Sequence, residues 1–250
     1  MNVREATAED VDAIRSVAAN SLSESYSHFL DQEMIDLAVE QWYGDSLDED
    51  VSNEDTRFYV AEENGEIISF SQSELFGESV TTGRIHWIHV DPAHRGSGIG
   101  VRMLVRTREA LREEGADTLQ GVVLENNEVG NEFYRAHGFE QVDTREVTIG
   151  EKPYTENVYV EKERQVDDEW RALEEVESED GTVFVSYGEA NRGSKAPFYT
   201  VYRNEAGSQR YGWFCGNCNS LDAAMDSMGR IECNECGNRR KATRWDASYL

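Results

Sequence analysis

Two sets of residues in this sequence are spaced for chemistry. The first is Ile85-His-Trp-Ile-His-Val-Asp-Pro-Ala-His-Arg-Gly-Ser-Gly-Ile-Gly100. It reads as a strand, a proline turn, and then Gly96, Gly98 and Gly100 at the start of a helix. The first amides of a helix have no intrahelical partner, and the positive end of the helix dipole lies behind them. With no Cβ in the way, a pyrophosphate can sit directly on such amides, and Arg95 adds a cation beside it. The spacing is not Gly-x-Gly-x-x-Gly, and no acidic residue follows about 20 positions on, which speaks against a dinucleotide fold. No Lys-Ser/Thr follows the glycines, which excludes a P-loop. What remains is Arg-x-x-Gly-x-Gly (Arg95, Gly98, Gly100); the competing reading is a loop that merely turns the chain.

The second set is Cys215-Gly-Asn-Cys218 and Cys233-Asn-Glu-Cys236, separated by fourteen residues. These are the only cysteines of the chain. Two C-x-x-C turns at this spacing can close a tetrahedral thiolate site around zinc, with no open position, hence a structural metal. Two disulfides or a redox pair are the competing readings; a reducing compartment disfavours the first, and a redox motif needs one pair. The segment resembles a zinc ribbon, a module of about 70 residues that needs its metal as a staple. After it come Arg239, Arg240 and Lys241, with Arg244 and Trp245. Contact with nucleic acid or an acidic protein is one reading of that patch, a solvated exposed face the other.

The elements that must carry these residues are legible in the hydrophobic pattern. Thr7 is a plausible helix cap ahead of the Val11, Ile14, Val17, Ala18 stripe, and 21–50 is unevenly helical. Phe58–Glu62 and Glu66–Ser73 alternate as strands around Asn64-Gly65, a strong hairpin signal. Strand Ile85–Val90, helix Val101–Glu113, strand Thr118–Leu124, helix Glu128–Ala136 and two further strands follow. The expected organisation is a first domain over 1–162, a charged linker over 163–180 with a solvated helix around Trp170 and Leu173, and a second domain over 181–250. The apolar share of 38 % suffices for a packed core, and no run reaches the ~18 apolar residues of a membrane span. With no signal peptide visible, the expected location is cytoplasmic, with no membrane partner.

Charge is the strongest compositional fact: 24 Lys+Arg against 50 Asp+Glu, a formal net of −26, and only four of the cations are lysines. This resembles the composition of halophilic organisms that keep molar salt in the cytoplasm, where a Debye length of ~3 Å screens self-repulsion. Such a balance says little about substrate and argues against nucleic acid as the main ligand of the whole chain.

Some thirty residues beyond the glycines stands Asn127-Glu-Val-Gly-Asn-Glu-Phe-Tyr134-Arg-Ala-His-Gly-Phe139. With the Val-Asp-Pro and Arg-x-x-Gly-x-Gly elements before it, the chain over about residues 1–160 resembles the GNAT superfamily of acetyl-CoA-dependent N-acyltransferases. The resemblance implies an α+β fold: a mixed, mostly antiparallel sheet that splays between the strands at 85–90 and 118–124, with acyl-CoA in the splay. It implies that the pantetheine arm pairs with backbone groups of Ile88, His89 and Val90. The diphosphate would rest on Gly96, Ser97, Gly98, Ile99, Gly100 and Val101, and Asn127 would contact the cofactor arm. One departure is Gly130, where alanine is usual; it should loosen its helix by ~0.5–1 kcal/mol.

For the chemistry, Tyr134 stands where many relatives place the general acid that protonates the leaving thiolate; packing against the sulfur is the other reading. The base is open. Val122 occupies the position where some relatives carry a Glu, whereas His86 stands where some arylalkylamine acetyltransferases carry a histidine. Ordered water, with His86 structural, is the alternative, and His89, His94 and His137 read as structural. Strand alternation predicts His86 and His89 on opposite faces. The acceptor pocket should come from 21–50 and 70–80. The expected function is transfer of acetyl from acetyl-CoA to a primary amine, of a small molecule or a protein, by direct attack in a ternary complex. The alternatives are a non-catalytic acyl-CoA sensor with a partner-binding ribbon and a zinc-ribbon nucleic-acid binder.

Overall fold

A computed structural model of the chain describes residues 1–77, 80–162, 173–226 and 229–240. It divides into two compact units, Val3–Trp170, and Met1–Asn2 with Arg171–Leu250.

The first unit runs β1 (Asn2–Glu5), α1 (Val11–Tyr26), α2 (Gln32–Tyr43), α3 (Leu47–Ser52), β2 (Thr56–Glu63), β3 (Glu66–Phe76), β4 (Thr82–Val90), α4 (Ile99–Glu113), β5 (Thr118–Leu124), α5 (Glu128–Ala136), β6 (Phe139–Ile149) and β7 (Lys152–Glu161). Local chemistry sets several of these boundaries. Asp31 accepts from the Met34 amide at the start of α2, and Asn127 accepts from the Gly130 amide at the start of α5. Asn64 and Gly65 both adopt positive φ, the backbone that a two-residue hairpin between β2 and β3 demands. Asp10 takes a bidentate pair from Arg4 at 2.7 and 2.9 Å and a bond from the Thr7 amide, which holds the chain entering α1.

The seven strands form one sheet in the order β1-β2-β3-β4-β5-β7-β6. Its described pairings are antiparallel except β4 with β5, which α4 connects. The α1–α3 side buries Ile14, Leu22, Ile35, Leu47, Phe58 and Phe70. The α4–α5 side buries Ile85, Leu104, Leu111, Leu119, Phe139 and Tyr159. Helices on both faces explain why β2 and β5 carry runs of buried residues where a half-solvated strand would alternate.

Two irregularities give the sheet its use. In β4, Gln72 faces Trp87 and Ser73 faces Ile85, so His86 is the extra residue of a β-bulge. The parallel pairing of β4 with β5 stops at Ile85 and Gly121, and the strands part beyond it.

The second unit is a four-stranded sheet in the order β11-β10-β9-β8, built from β8 (Leu173–Ser178), β9 (Gly181–Asn191), β10 (Phe198–Tyr202) and β11 (Arg210–Cys215). A three-stranded sheet follows, of β12 (Ala223–Met225), β13 (Ile231–Cys233) and β14 (Arg239–Arg240). The solvated helix expected around Leu173 is corrected here: Leu173–Ser178 is a strand that pairs with β9 through a tight turn at 179–180. A short, highly charged segment has little to gain as an isolated helix, whereas β9 offers it a full ladder of hydrogen bonds. Trp170, Lys241, Arg244 and Trp245 lie outside the described residues.

The Tyr134 ring fixes the floor of the parting. It stacks on Tyr159 with centroids 5.6 Å apart and lies so close over Gly121 that a Cβ there would stand 2.3 Å from the ring. Gly121→Ala should therefore displace Tyr134 and destabilise the first unit by about 1–3 kcal/mol, read by equilibrium unfolding in denaturant. An unchanged midpoint and slope would contradict this packing.

Candidate active site and cysteine cluster

Where β4 and β5 part, a cavity of about 340 Å³ opens. Its walls are His86–Val90 of β4, Val122 and Val123 of β5, and Asn127 and Tyr134 of α5. One end is the turn into α4, with Arg95, Gly96 and Gly98–Val101; α1 contributes Ser21 and Tyr26. Gly96 and Gly98 have φ of 77° and 70°, a backbone that side-chain-bearing residues rarely adopt. They turn the chain into α4, whose first residue is Ile99, so Gly100 already lies inside its first turn. Of the residues expected around the cofactor, Ser97 alone does not line this cavity; it is exposed and its Oγ donates to the His94 carbonyl.

Arg95 does not stand free beside the turn. Its guanidinium donates to Ser21 Oγ (3.1 Å), Ser25 Oγ (3.0 Å) and the Ser21 carbonyl (3.3 Å), tying α1 to the glycine turn. Ser21 continues the chain: its Oγ meets His89 Nδ1 at 2.9 Å, and His89 Nε2 meets the Tyr43 hydroxyl at 3.1 Å. His89 is buried, lies against Trp87 and Phe70, and burial with Arg95 nearby pushes its pKa down to about 3. It is a neutral core residue, as its structural reading expects.

His86 is half-buried and its Nε2 lies 3.1 Å from Glu74 Oε1 on β3. Burial lowers its pKa while Glu74 pulls the other way. The opposite faces expected for His86 and His89 are corrected by the bulge. Phe70, Gln72 and Glu74 share one face of β3; they stand opposite His89, Trp87 and Arg84, and His86 reaches Glu74 on that same face. The extra residue resets the alternation, which a count along the strand cannot reveal.

Burial pushes the Tyr134 phenol well above its ordinary range, and it does the same to Tyr26, whose side chain bonds Asn127. His86, Trp87 and Val122 also line a second cavity of about 270 Å³, completed by Gln41, Trp42, Ser46, Asp50, Gln72, Arg145, Val147 and Glu156. These three residues thus stand on the walls of both cavities.

Sequence reasoning passed over three residues that shape this site. Asn131 is buried; its Nδ2 donates to the carbonyls of Leu124, Glu125 and Asn127, and its Oδ1 accepts from Asn157 and Tyr159. It pins the β5–α5 turn and so places Asn127. An asparagine inside an amphipathic helix was the available signal. Gly121 inside a strand was the signal for the close approach of Tyr134. Glu74 gave none, because its role arises only from register. Gly130 is tighter than its sequence reading implies: a Cβ there would stand 2.8 Å from Asn127 Nδ2 and 2.9 Å from Val123.

In the second unit, the Sγ atoms of Cys215, Cys218, Cys233 and Cys236 all lie within 4.8 Å of one another. The closest pairs, Cys215–Cys236 at 3.6 Å and Cys218–Cys233 at 3.5 Å, are far longer than a disulfide bond. The two knuckles repeat one backbone. The Asn219 amide donates to the Cys215 carbonyl and the Cys215 amide to Ser220; likewise Gly237 to Cys233 and Cys233 to Asn238. Asn219 and Gly237 both take positive φ, 60° and 66°. Buried Asn238 bonds the Ala196 carbonyl and approaches Cys215 Sγ at 3.5 Å. Arg239 is taken up by Glu232 at 2.7 Å.

Residues 54–141 match the family model described as the acetyltransferase (GNAT) domain. Residues 179–250 match a family of unknown function, DUF5816. The uncharacterized N-acetyltransferase YhfO of Bacillus subtilis is 29 % identical over 144 residues, 56 % of this chain and 91 % of that protein. An uncharacterized N-acetyltransferase of Methanocaldococcus jannaschii is 30 % identical over 105 residues, 40 % of this chain and 45 % of that protein. Among solved structures, PaiA N-acetyltransferase from Thermoplasma acidophilum in complex with coenzyme A superposes with a TM-score of 0.56 at 21 % identity. That superposition covers 65 % of this chain and 98 % of that one. A GCN5-related N-acetyltransferase from Rhodopseudomonas palustris gives 0.54 at 14 % identity, over 65 % and 95 %. No described helix is long and apolar enough to cross a membrane. The first unit thus has the fold of the GNAT acyltransferases, its residues 54–141 match the GNAT acetyltransferase domain, and these similarities support an acetyl-CoA-dependent acyltransferase.

Proposed function

We propose that the first cavity holds acetyl-CoA and that the protein transfers its acetyl group to a primary amine by direct attack in a ternary complex. The observation that carries this reading is the parting of β4 from β5 just where the amides of the α4 N-terminus line one end of the opening. An extended pantetheine arm would take the place of the missing strand along Ile88, His89 and Val90. The diphosphate would lie on the amides around Gly98–Val101, with the α4 dipole behind them. Asn127, capped onto α5, would face the arm from the other wall. The coenzyme A bound to the Thermoplasma relative supports the same ligand here.

In the transfer, the amine nitrogen attacks the thioester carbon, the carbon–sulfur bond breaks, the nitrogen sheds a proton and the thiolate gains one. The site's work is to bring the reactants together and to move those two protons. His86, neutral near pH 7 and held by Glu74, takes the proton of the amine. Tyr134, kept protonated by burial, gives its proton as the sulfur departs, in concert with bond breaking. His89 takes no part because both ring nitrogens are committed to Ser21 and Tyr43.

For the second unit we propose a structural zinc on the four thiolates in a zinc-ribbon-like fold. A tetrahedral site with bonds of ~2.3 Å has sulfur–sulfur edges of roughly 3.8 Å, close to the spacing here.

Three experiments test these readings, all at high potassium chloride because of the acidic composition. Titration calorimetry with acetyl-CoA should show saturable binding, and Gly98→Asp should abolish it by placing a carboxylate against the diphosphate. Heat absent in both proteins would refute the cofactor site; binding with no turnover on any amine would instead favour the acyl-CoA sensor.

The acid limb of kcat/KM should lie below pH 6.5, since the base must be neutral and burial lowers its pKa. Activity then rises as pH rises through that value. Glu74→Gln removes a charge that favours the imidazolium, so the limb should move to still lower pH, and His86→Gln should remove it with a fall in rate of about 10²-fold or more. An unmoved limb in both variants would assign the proton to water.

Elemental analysis should find one zinc per chain, and its removal by a chelator or Cys218→Ser should unfold the second unit, seen as loss of its cooperative transition. A metal-free chain with an unaltered melting profile would refute the zinc assignment.

A further inference from the structure

Among the groups lining the second cavity, one cation has donors to spare. Arg145 on β6 gives its Nε to Glu156 Oε2 at 2.7 Å, its one bond among the described residues. That leaves the Nη1 and Nη2 edge of the fork. The guanidinium is held in place: Glu156 is 5 % exposed, anchored on β7 directly opposite Arg145 in the β6–β7 ladder, while Arg145 is 38 % exposed. A fixed guanidinium with a vacant pair of donors is the arrangement that receives a carboxylate through two parallel bonds.

Two of the acidic groups nearby are already engaged. Glu156 serves Arg145, and Glu74 is shared between Arg84 at 3.3 Å and His86 at 3.1 Å. Asp50, on α3, has only a long 3.5 Å contact from Ser46 and no ion pair among the described residues. The open edge of the Arg145 fork is therefore the place in this cavity where an anion can be received. Trp42 and Trp87, centroids 4.7 Å apart, supply an apolar wall. Its volume of about 270 Å³ falls just below the ~300–1,000 Å³ of ordinary ligand pockets, which limits it to a small acceptor.

We propose that the acceptor is a zwitterion, a free amino acid with an apolar or aromatic side chain. Its α-carboxylate lies on the Arg145 fork, its side chain lies against Trp42 and Trp87, and its amine points across the bulge past His86 toward the thioester. This rests on the acetyl-CoA reading of the first cavity. Arg145 is then a specificity-determining residue that touches substrate away from the reacting atoms.

The test uses the full chain, acetyl-CoA, and three matched acceptors: L-phenylalanine, L-phenylalaninamide and phenethylamine, with L-leucine and isoamylamine as a second pair. Thiol release and product mass are followed in concentrated potassium chloride. The amino acids should exceed their carboxylate-free partners by about 10–100-fold in kcat/KM, the worth of a charged bidentate contact. In Arg145→Gln that preference should collapse toward unity, through a raised KM for the amino acid with kcat retained. Because Arg145→Gln strands buried Glu156, the double variant Arg145→Gln/Glu156→Gln provides a second measurement with no unpaired charge. A merely structural role for Arg145 would lower kcat for every acceptor alike and leave the ratio intact.

Equal or better turnover of the amines, a ratio that survives in both variants, or acetyl-CoA binding with no turnover of any amino acid would each overturn the proposal. Loss of acetyl-CoA binding itself in the parent protein would strike instead at the cofactor reading.

Discussion

A single extra residue in β4 governs the geometry of the first unit. Up to Ile85 the strand runs parallel to β5 with its hydrogen bonds taken on both edges. At His86 the bulge sharpens the local twist, and from there the β5 edge of β4 has no strand beside it among the described residues. Unpaired backbone groups inside a protein must find a partner, and the proposed pantetheine arm would supply one along this edge. The same residue swings the His86 ring onto the face of Glu74 and Trp87. One backbone irregularity thus stands where β4 and β5 part and sets a titratable group on the walls of both cavities.

Around that opening, buried polar side chains serve as fasteners. Arg95, Ser21, His89 and Tyr43 form one continuous chain of bonds from the glycine turn through α1 to the end of α2. Asn131 uses all of its amide capacity on the β5–α5 turn and on β7. Networks of this kind hold position well when every member is satisfied and are costly when one is lost. Their placement at the two walls of the cleft keeps its width fixed while its lining stays largely apolar.

The second unit meets a different constraint. Its core around Phe198, Trp213 and Ile231 includes Cys215 and Cys233 themselves, so the cysteine cluster and the apolar core are one body. Two loops of identical hydrogen bonding present the sulfurs, and each needs a residue in the left-handed region at the same place. Asn219 and Gly237 supply it, being residue types that tolerate that conformation.

Local patterns decided much of this protein in advance. The Asn64-Gly65 hairpin, the glycines that turn into α4, the cap at Asn127 and the paired C-x-x-C turns each follow from the conformational limits of a few adjacent residues, and those limits act whatever the rest of the chain does. The charged stretch that holds β8 was illegible for the converse reason: its strand exists because β9 is beside it. Everything that depended on register belonged to the tertiary structure. Glu74 meets His86, Arg145 meets Glu156, and the Tyr134 ring finds the bare face of Gly121 only once strands distant in sequence are aligned. A bulge shifts that alignment by one residue, and no periodicity within a single strand records which face its side chains will take.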